Sequence, residues 1–114
     1  MARKSGKSIT SSRSKTLVLT RAARQDLAQI HFWIRGHEDL ESADSVTDMI
    51  LNAAKKLARI GHSGRPRDDL QIGLRGVSHK GFSLFFVIRD GEMRVIHIVR
   101  GTRDVRKLDF TDTD

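Results

Sequence analysis

Cysteine is absent from this 114-residue chain. That excludes disulfide staples, thiolate metal sites and thiol nucleophiles, and it fits an intracellular, cytoplasmic setting. Tyrosine is also absent, tryptophan occurs once, and aromatic residues make up only 5% of the chain. A core must therefore be built mainly from Leu, Ile, Val and Ala, with Trp33 and the five phenylalanines placed sparingly. No apolar run approaches the roughly 20 residues needed to cross a membrane, and the N-terminus lacks the apolar segment of a secretory signal. There is no Gly-x-Ser-x-Gly elbow and no phosphate-binding glycine loop, so two common enzyme chemistries have no candidate. The histidines, His31, His37, His62, His79 and His97, are scattered without the spacing of a zinc motif. The expectation is of a protein with no metal and no cofactor.

What the chain does have is positive charge. Lys and Arg number 21 against 14 Asp and Glu, a formal charge of +7, which favours attraction to polyanions or to an acidic protein partner. Its length allows one small domain with a single modest core. Residues 1–14 combine basic and small polar side chains with almost nothing to bury, and read as a flexible basic arm. Residues 15–110 form the folded domain, and residues 111–114 a short acidic tail.

Within that domain, residues 15–20 are a strand candidate, and Thr20 is a natural N-cap for a first helix. Ala23, Leu27, Ile30 and Ile34 line one face of that helix, Trp33 widens the stripe, and Gly36 is its expected stop. Asp39 caps a second helix with apolar positions Ala43, Val46, Ile50, Ala53, Leu57 and Ile60, terminated by Gly61. A link of about four residues, His37 to Leu40, makes the two helices an antiparallel hairpin. Residues 61–69, with the only proline, read as an exposed loop. Three strands follow. The first, residues 72–79, is weakened by Gly73 and Gly76 into a bulged or edge strand. The second, residues 82–88, is almost wholly apolar, as a strand covered on both faces is. Asp90-Gly91 then signals a type I′ hairpin into residues 92–100. The fold class is α+β: an N-terminal strand, an antiparallel helical hairpin, and a three-stranded antiparallel meander, with the hairpin on one face of an antiparallel sheet. The first strand pairs with a member of the meander that the sequence does not identify.

Chemistry concentrates near residues 95–104, an apolar strand closing in Arg100-Gly101-Thr102-Arg103-Asp104. RNA cleavage needs a base for the 2′-hydroxyl, cations for the charge on phosphorus and an acid for the leaving oxygen. His97 could act as base or acid, with Arg75, Arg100 and Arg103 as cations. The simpler alternative is that His97 is a satisfied, half-buried strand residue. Asp26 and Asp104 are expected to pair with arginines, Arg103-Asp104 serving as a local clamp.

Leu19-Thr20, Ala23, Asp26-Leu27, Ile30, Leu57, Gly64-Arg65-Pro66-Arg67, Leu70, Gly73-Leu74-Arg75, Phe82, Phe85-Phe86-Val87, His97 and Arg103-Asp104, in that order, resemble the ParE branch of the ParE/RelE toxin superfamily over about residues 16 to 110. The resemblance implies a β-α-α-β-β-β fold and the toxin half of a bacterial type II toxin–antitoxin module of the plasmid-stabilising kind. It implies neutralisation by a ParD-like antitoxin and poisoning of DNA gyrase. RelE-like members instead cut mRNA on the ribosome, often with a C-terminal tyrosine. This chain has no tyrosine, and Ser83 stands where RelE-like chains tend to carry an arginine. The leading reading is therefore a binder that inhibits gyrase through Arg65, Arg67, Arg75, Arg100, Arg103 and Arg106, with Leu27, Ile30, Trp33, Ile34 and Phe85 receiving the antitoxin. The alternative is an endoribonuclease using His97, Arg100 and Arg103. A third reading is a module that has lost toxicity and survives as an antitoxin-binding or repressor component.

Overall fold

The computed structural model describes residues 14–61, 64–101 and 104–112. Nearly all of the basic arm, and Arg103, therefore lie outside the described residues. Strand β1 (Thr16–Leu19) leads into helix α1 (Arg21–His37) and helix α2 (Leu40–Ile60). Strands β2 (Arg65–Pro66), β3 (Arg75–His79), β4 (Phe82–Arg89) and β5 (Glu92–Arg100) follow, then a 3-10 turn (Val105–Lys107).

Thr20 starts α1 as expected. Its hydroxyl oxygen accepts from Ala23 N–H at 3.3 Å and donates to the Val95 carbonyl at 2.8 Å, so the cap also ties the helix to β5. Ala23, Ile30 and Ile34 are buried, with Leu27 packed beside them. Gly36 does not stop this helix. The chain runs on through His37, whose ring stacks on Trp33 at 4.3 Å and donates from Nδ1 to the Trp33 carbonyl at 2.8 Å. These side-chain contacts hold the last turn, and Glu38 N–H closes it on Ile34. Only Glu38 and Asp39 remain as the link, which is shorter than expected.

Asp39 caps α2 through Ser42 N–H at 2.7 Å. Gly61, in the left-handed region at φ 69°, ends it. The buried stripe of α2 runs through Ala43, Ile50, Ala54 and Ala58. Ala53 is only half-buried and Ile60 is 49% exposed, because the true helical repeat carries the inward face toward positions 54 and 58. Small side chains there let β1 approach, and Lys15 N–H donates to the Ala58 carbonyl at 2.7 Å.

The sheet order is β1-β5-β4-β3-β2. It is mixed rather than wholly antiparallel: β1 pairs in parallel with β5, Leu19 facing Val95. The helical hairpin supplies the crossover that parallel neighbours require. Two further expectations change. β3 begins at Arg75, not at residue 72, because Gly73 adopts φ 84° in a turn that leaves Ile72 86% exposed. Arg65 and Pro66, expected in a loop, pair with Gly76 and Arg75 as a two-residue edge strand, where a missing proline N–H costs no ladder bond. Asp90 and Gly91 take φ 52° and 77°, as a type I′ turn requires. Lys80 and Gly81, at φ 48° and 88°, make a second such turn.

The bulge expected in the first meander strand occurs instead between β4 and β5. Phe85 faces His97 and Phe86 faces Val95, leaving Ile96 as the extra residue. This shift divides β5 between two cores. Met93, Val95 and Ile98 join Ile50, Leu84 and Phe86 under the helices. Ile96 and Val99 join Leu74, Phe85 and Phe110 on the other face. β4 is thus covered on both faces, as its composition predicts. The second cover is the segment after β5, which brings Val105, Leu108 and Phe110 onto the sheet. Asp112, expected in a short acidic tail, instead tucks its carboxylate in, the side chain 8% exposed, and accepts from Arg94 Nε and Arg89 Nη2, each at 2.6 Å. No helix among the described residues is long and apolar enough to cross a membrane.

Candidate binding surfaces and the His97 network

Beyond Val95, β5 has no β1 residue beside it, so its outer edge must be satisfied by other groups. Thr20 takes the Val95 carbonyl, and Asp26 Oδ2 accepts from Ile98 N–H at 2.9 Å. The same Asp26 oxygen lies 2.7 Å from His97 Nδ1, while His97 Nε2 lies 3.0 Å from the Asp109 carbonyl. Phe110 meets the imidazole edge-on at 5.4 Å. Hydrogen bonding to Asp26 raises the His97 pKa above its ordinary 6.5, burial opposes that rise, and the aspartate's charge adds to it. Asp26 therefore pairs with a histidine rather than an arginine. Asp104 does pair with an arginine: it caps the 3-10 turn through Arg106 N–H and binds Arg106 Nε, both at 3.1 Å, while the expected clamp partner Arg103 lies outside the described residues. The sequence carried a signal for Asp26. It falls within the apolar stripe Ala23, Leu27, Ile30, and a carboxylate on a packed face needs a partner.

Next to this network, Asp26, Gln29, Ile30, Trp33, Ile98 and Arg100 line a slot of about 190 Å³ between α1 and the β5 edge. The Arg100 guanidinium lies 3.8 Å from the centre of the Trp33 ring, and the indole stays 39% exposed. A stacked cation fixes that ring and leaves it facing solvent. Of the five residues expected to receive the antitoxin, Ile30 and Trp33 meet here. Leu27 and Ile34 turn into the core beneath the helices, and Phe85 is buried on the opposite face of the sheet. The five do not form one surface.

The arginines are also spread out. Arg65 and Arg67 border a groove of about 320 Å³ floored by Gly76, Ser78 and Ser83 beside Phe85. Arg67 binds Asp69 through two bonds of 3.0 Å. A Cβ on Gly76 would lie 3.2 Å from the Phe85 ring, a tight approach that the ring would have to relieve by a few tenths of an ångström. Ser83 Oγ faces Ser78 Oγ at 3.4 Å. Arg75 reaches the Gly64 carbonyl at 3.4 Å, Arg100 belongs to the slot, and Arg106 is exposed. Among the described residues, no cluster of His, Asp and Glu could hold a metal ion.

Residues 17–105 match the family described as the ParE toxin of the type II toxin–antitoxin system parDE. The chain belongs to the ParE toxin family. The match runs from β1 into the 3-10 turn, so Phe110 and Asp112, which close the second core, lie beyond it. Among solved structures, the fold is similar to a chain of the chromosomal ParDE system from P. aeruginosa, with a TM-score of 0.70 and 24% identity, covering 79% of this chain and 99% of that one. No curated protein matches the sequence. As a ParE-family toxin, the chain is one component of a type II toxin–antitoxin system.

Proposed function

We propose that this ParE-family toxin inhibits DNA gyrase by binding it, and that a ParD-like antitoxin neutralises the toxin by covering the slot beside Trp33 and Arg100. The observation that carries the binding reading is the state of His97, whose two ring nitrogens are both engaged inside the protein. A general base needs a free lone pair facing its substrate, so the endoribonuclease reading loses its one candidate. Ser83 paired with Ser78, where a cation would stabilise charge on phosphorus, weighs the same way.

Without catalysis, contact surface and charge remain as the means of action. Arg65 and Arg67 in the groove, with Arg75, Arg100, Arg103 and Arg106, are the proposed gyrase contacts, and no cofactor is required. A half-exposed indole beneath a cation suits a partner segment that offers an apolar and an acidic side chain together. Gyrase as the target would place the action in the cytoplasm.

The test uses toxin freed from its antitoxin, added to gyrase with relaxed plasmid and ATP and, in parallel, to translating ribosomes with mRNA. Lost supercoiling or cleaved DNA, reversed by added antitoxin, is the expected result. Cut mRNA with unaffected gyrase overturns the proposal.

A further inference from the structure

His97 joins three segments: the bulge in β5 where it resides, α1 through Asp26, and the chain after β5 through Asp109. Both of its partners can only accept. Asp26 Oδ2 is a carboxylate oxygen already receiving Ile98 N–H, and the Asp109 oxygen is a backbone carbonyl with no proton to give. A neutral imidazole has one N–H and one lone pair. It can serve one of these acceptors, and must then aim its lone pair at the other. Only the imidazolium donates to both.

The surroundings favour that cation. The charged groups facing the ring are Asp26 from α1 and Asp109 from the segment after β5, both acidic. From β4 the residue opposite is Phe85, and Phe110 meets the ring edge-on; neither brings charge.

Residues 104–112 are fastened elsewhere too, by Val105, Leu108 and Phe110 on the second core and by Asp112 between Arg94 and Arg89. Apolar packing does not titrate, and carboxylates and guanidinium groups keep their charge across neutrality. The remaining fastening, at Asp109, is the one governed by a histidine.

We propose that His97 is a proton-operated latch: with the ring charged, residues 104–112 are clasped to α1 through Asp109 and Asp26, and with the ring neutral the clasp opens. Opening loosens Phe110 over Leu74, Phe85, Ile96 and Val99, and frees a segment bearing Arg106 and Lys107 to move. The latch is a property of the fold and does not depend on gyrase being the target.

The experiment is an NMR titration of the imidazole nitrogens from pH 5.5 to 9.5, combined with amide exchange at residues 109–112 corrected for intrinsic base catalysis. Both ring nitrogens should be protonated at pH 7. Protection of 109–112 should fall by about tenfold through the same transition that neutralises the ring, while β4 amides stay protected. His97→Gln should give low protection at every pH with no step. Asp26→Asn, which removes the negative partner, should move the step to lower pH. A ring bearing one proton at pH 7, protection that ignores the ring's transition, or His97→Gln exchanging like the unsubstituted protein each overturns the latch. If His97→Gln does not fold, the unsubstituted protein and Asp26→Asn decide the question between them.

Discussion

Thr20 uses one hydroxyl twice, accepting from the first turn of α1 and donating to the Val95 carbonyl of β5. Thr20→Ala removes a helix cap and a buried side-chain hydrogen bond at once, leaving the Val95 carbonyl only the Thr20 N–H at 3.2 Å, so it should lower stability by about 1–2 kcal/mol. Urea denaturation would register this as a lower midpoint with an unchanged slope. His97 affects stability through pH instead. Its pKa is raised in the folded state, so its contribution is complete below the ordinary value near 6.5 and is lost as pH rises through the folded-state value. Denaturation at a series of pH values should show stability declining as pH rises above 6.5. In His97→Gln that decline should be absent, and a slope persisting there would mean that another group is responsible.

At the scale of elements, the turns and caps were the easiest features to read. Asp90-Gly91 names its own turn type because both positions need positive φ, whereas Lys80-Gly81 hid the same geometry behind a lysine. Gly61 ended its helix and Gly36 did not, since the Trp33–His37 stack carried α1 one residue further. β2 could not be read: two residues, one of them proline, carry no periodicity. Nor could the cover over the second core, because Phe110 is a lone aromatic in a polar stretch, and Asp112 looks like a tail until the arginines of β4 and β5 are brought beside it. That segment is nonetheless structural. Phe110→Ala deletes a buried ring lying 5.1 Å from Phe85 and should cost about 3–4 kcal/mol. Thermal unfolding would show this as a large drop in midpoint, and a drop no larger than that of a surface substitution would mean that the segment merely rests on the sheet.

Over the whole molecule, the candidate site was legible in kind but not in place. The +7 charge and the chosen arginines pointed to docking. Yet the Arg100–Trp33 stack joins residues far apart in sequence, and only the folded sheet brings them together. Trp33 is half-exposed and its stack with His37 holds the last turn of α1, so Trp33→Ala should fray that turn and cost the free toxin less than a truncation in the core. As an aromatic anchor at the proposed antitoxin surface, it should weaken that complex at least about tenfold. Calorimetric titration with the antitoxin would check this, and unchanged affinity would place the interface elsewhere. The complex should also melt higher than free toxin, by mass action on the folded state.

The parallel pairing of β1 with β5 also has a kinetic consequence. The helical hairpin and the β3–β5 meander are each assembled from neighbours in sequence, and each can form from local contacts. Among the strands, β1 must find its partner across the length of the domain, as α1 must behind it, and the Thr20–Val95 bond closes a separation of 75 residues. Such a contact forms late, after the loop entropy between its ends has been met. Substitutions at this junction should therefore mainly speed unfolding, while those in the meander turns should slow folding.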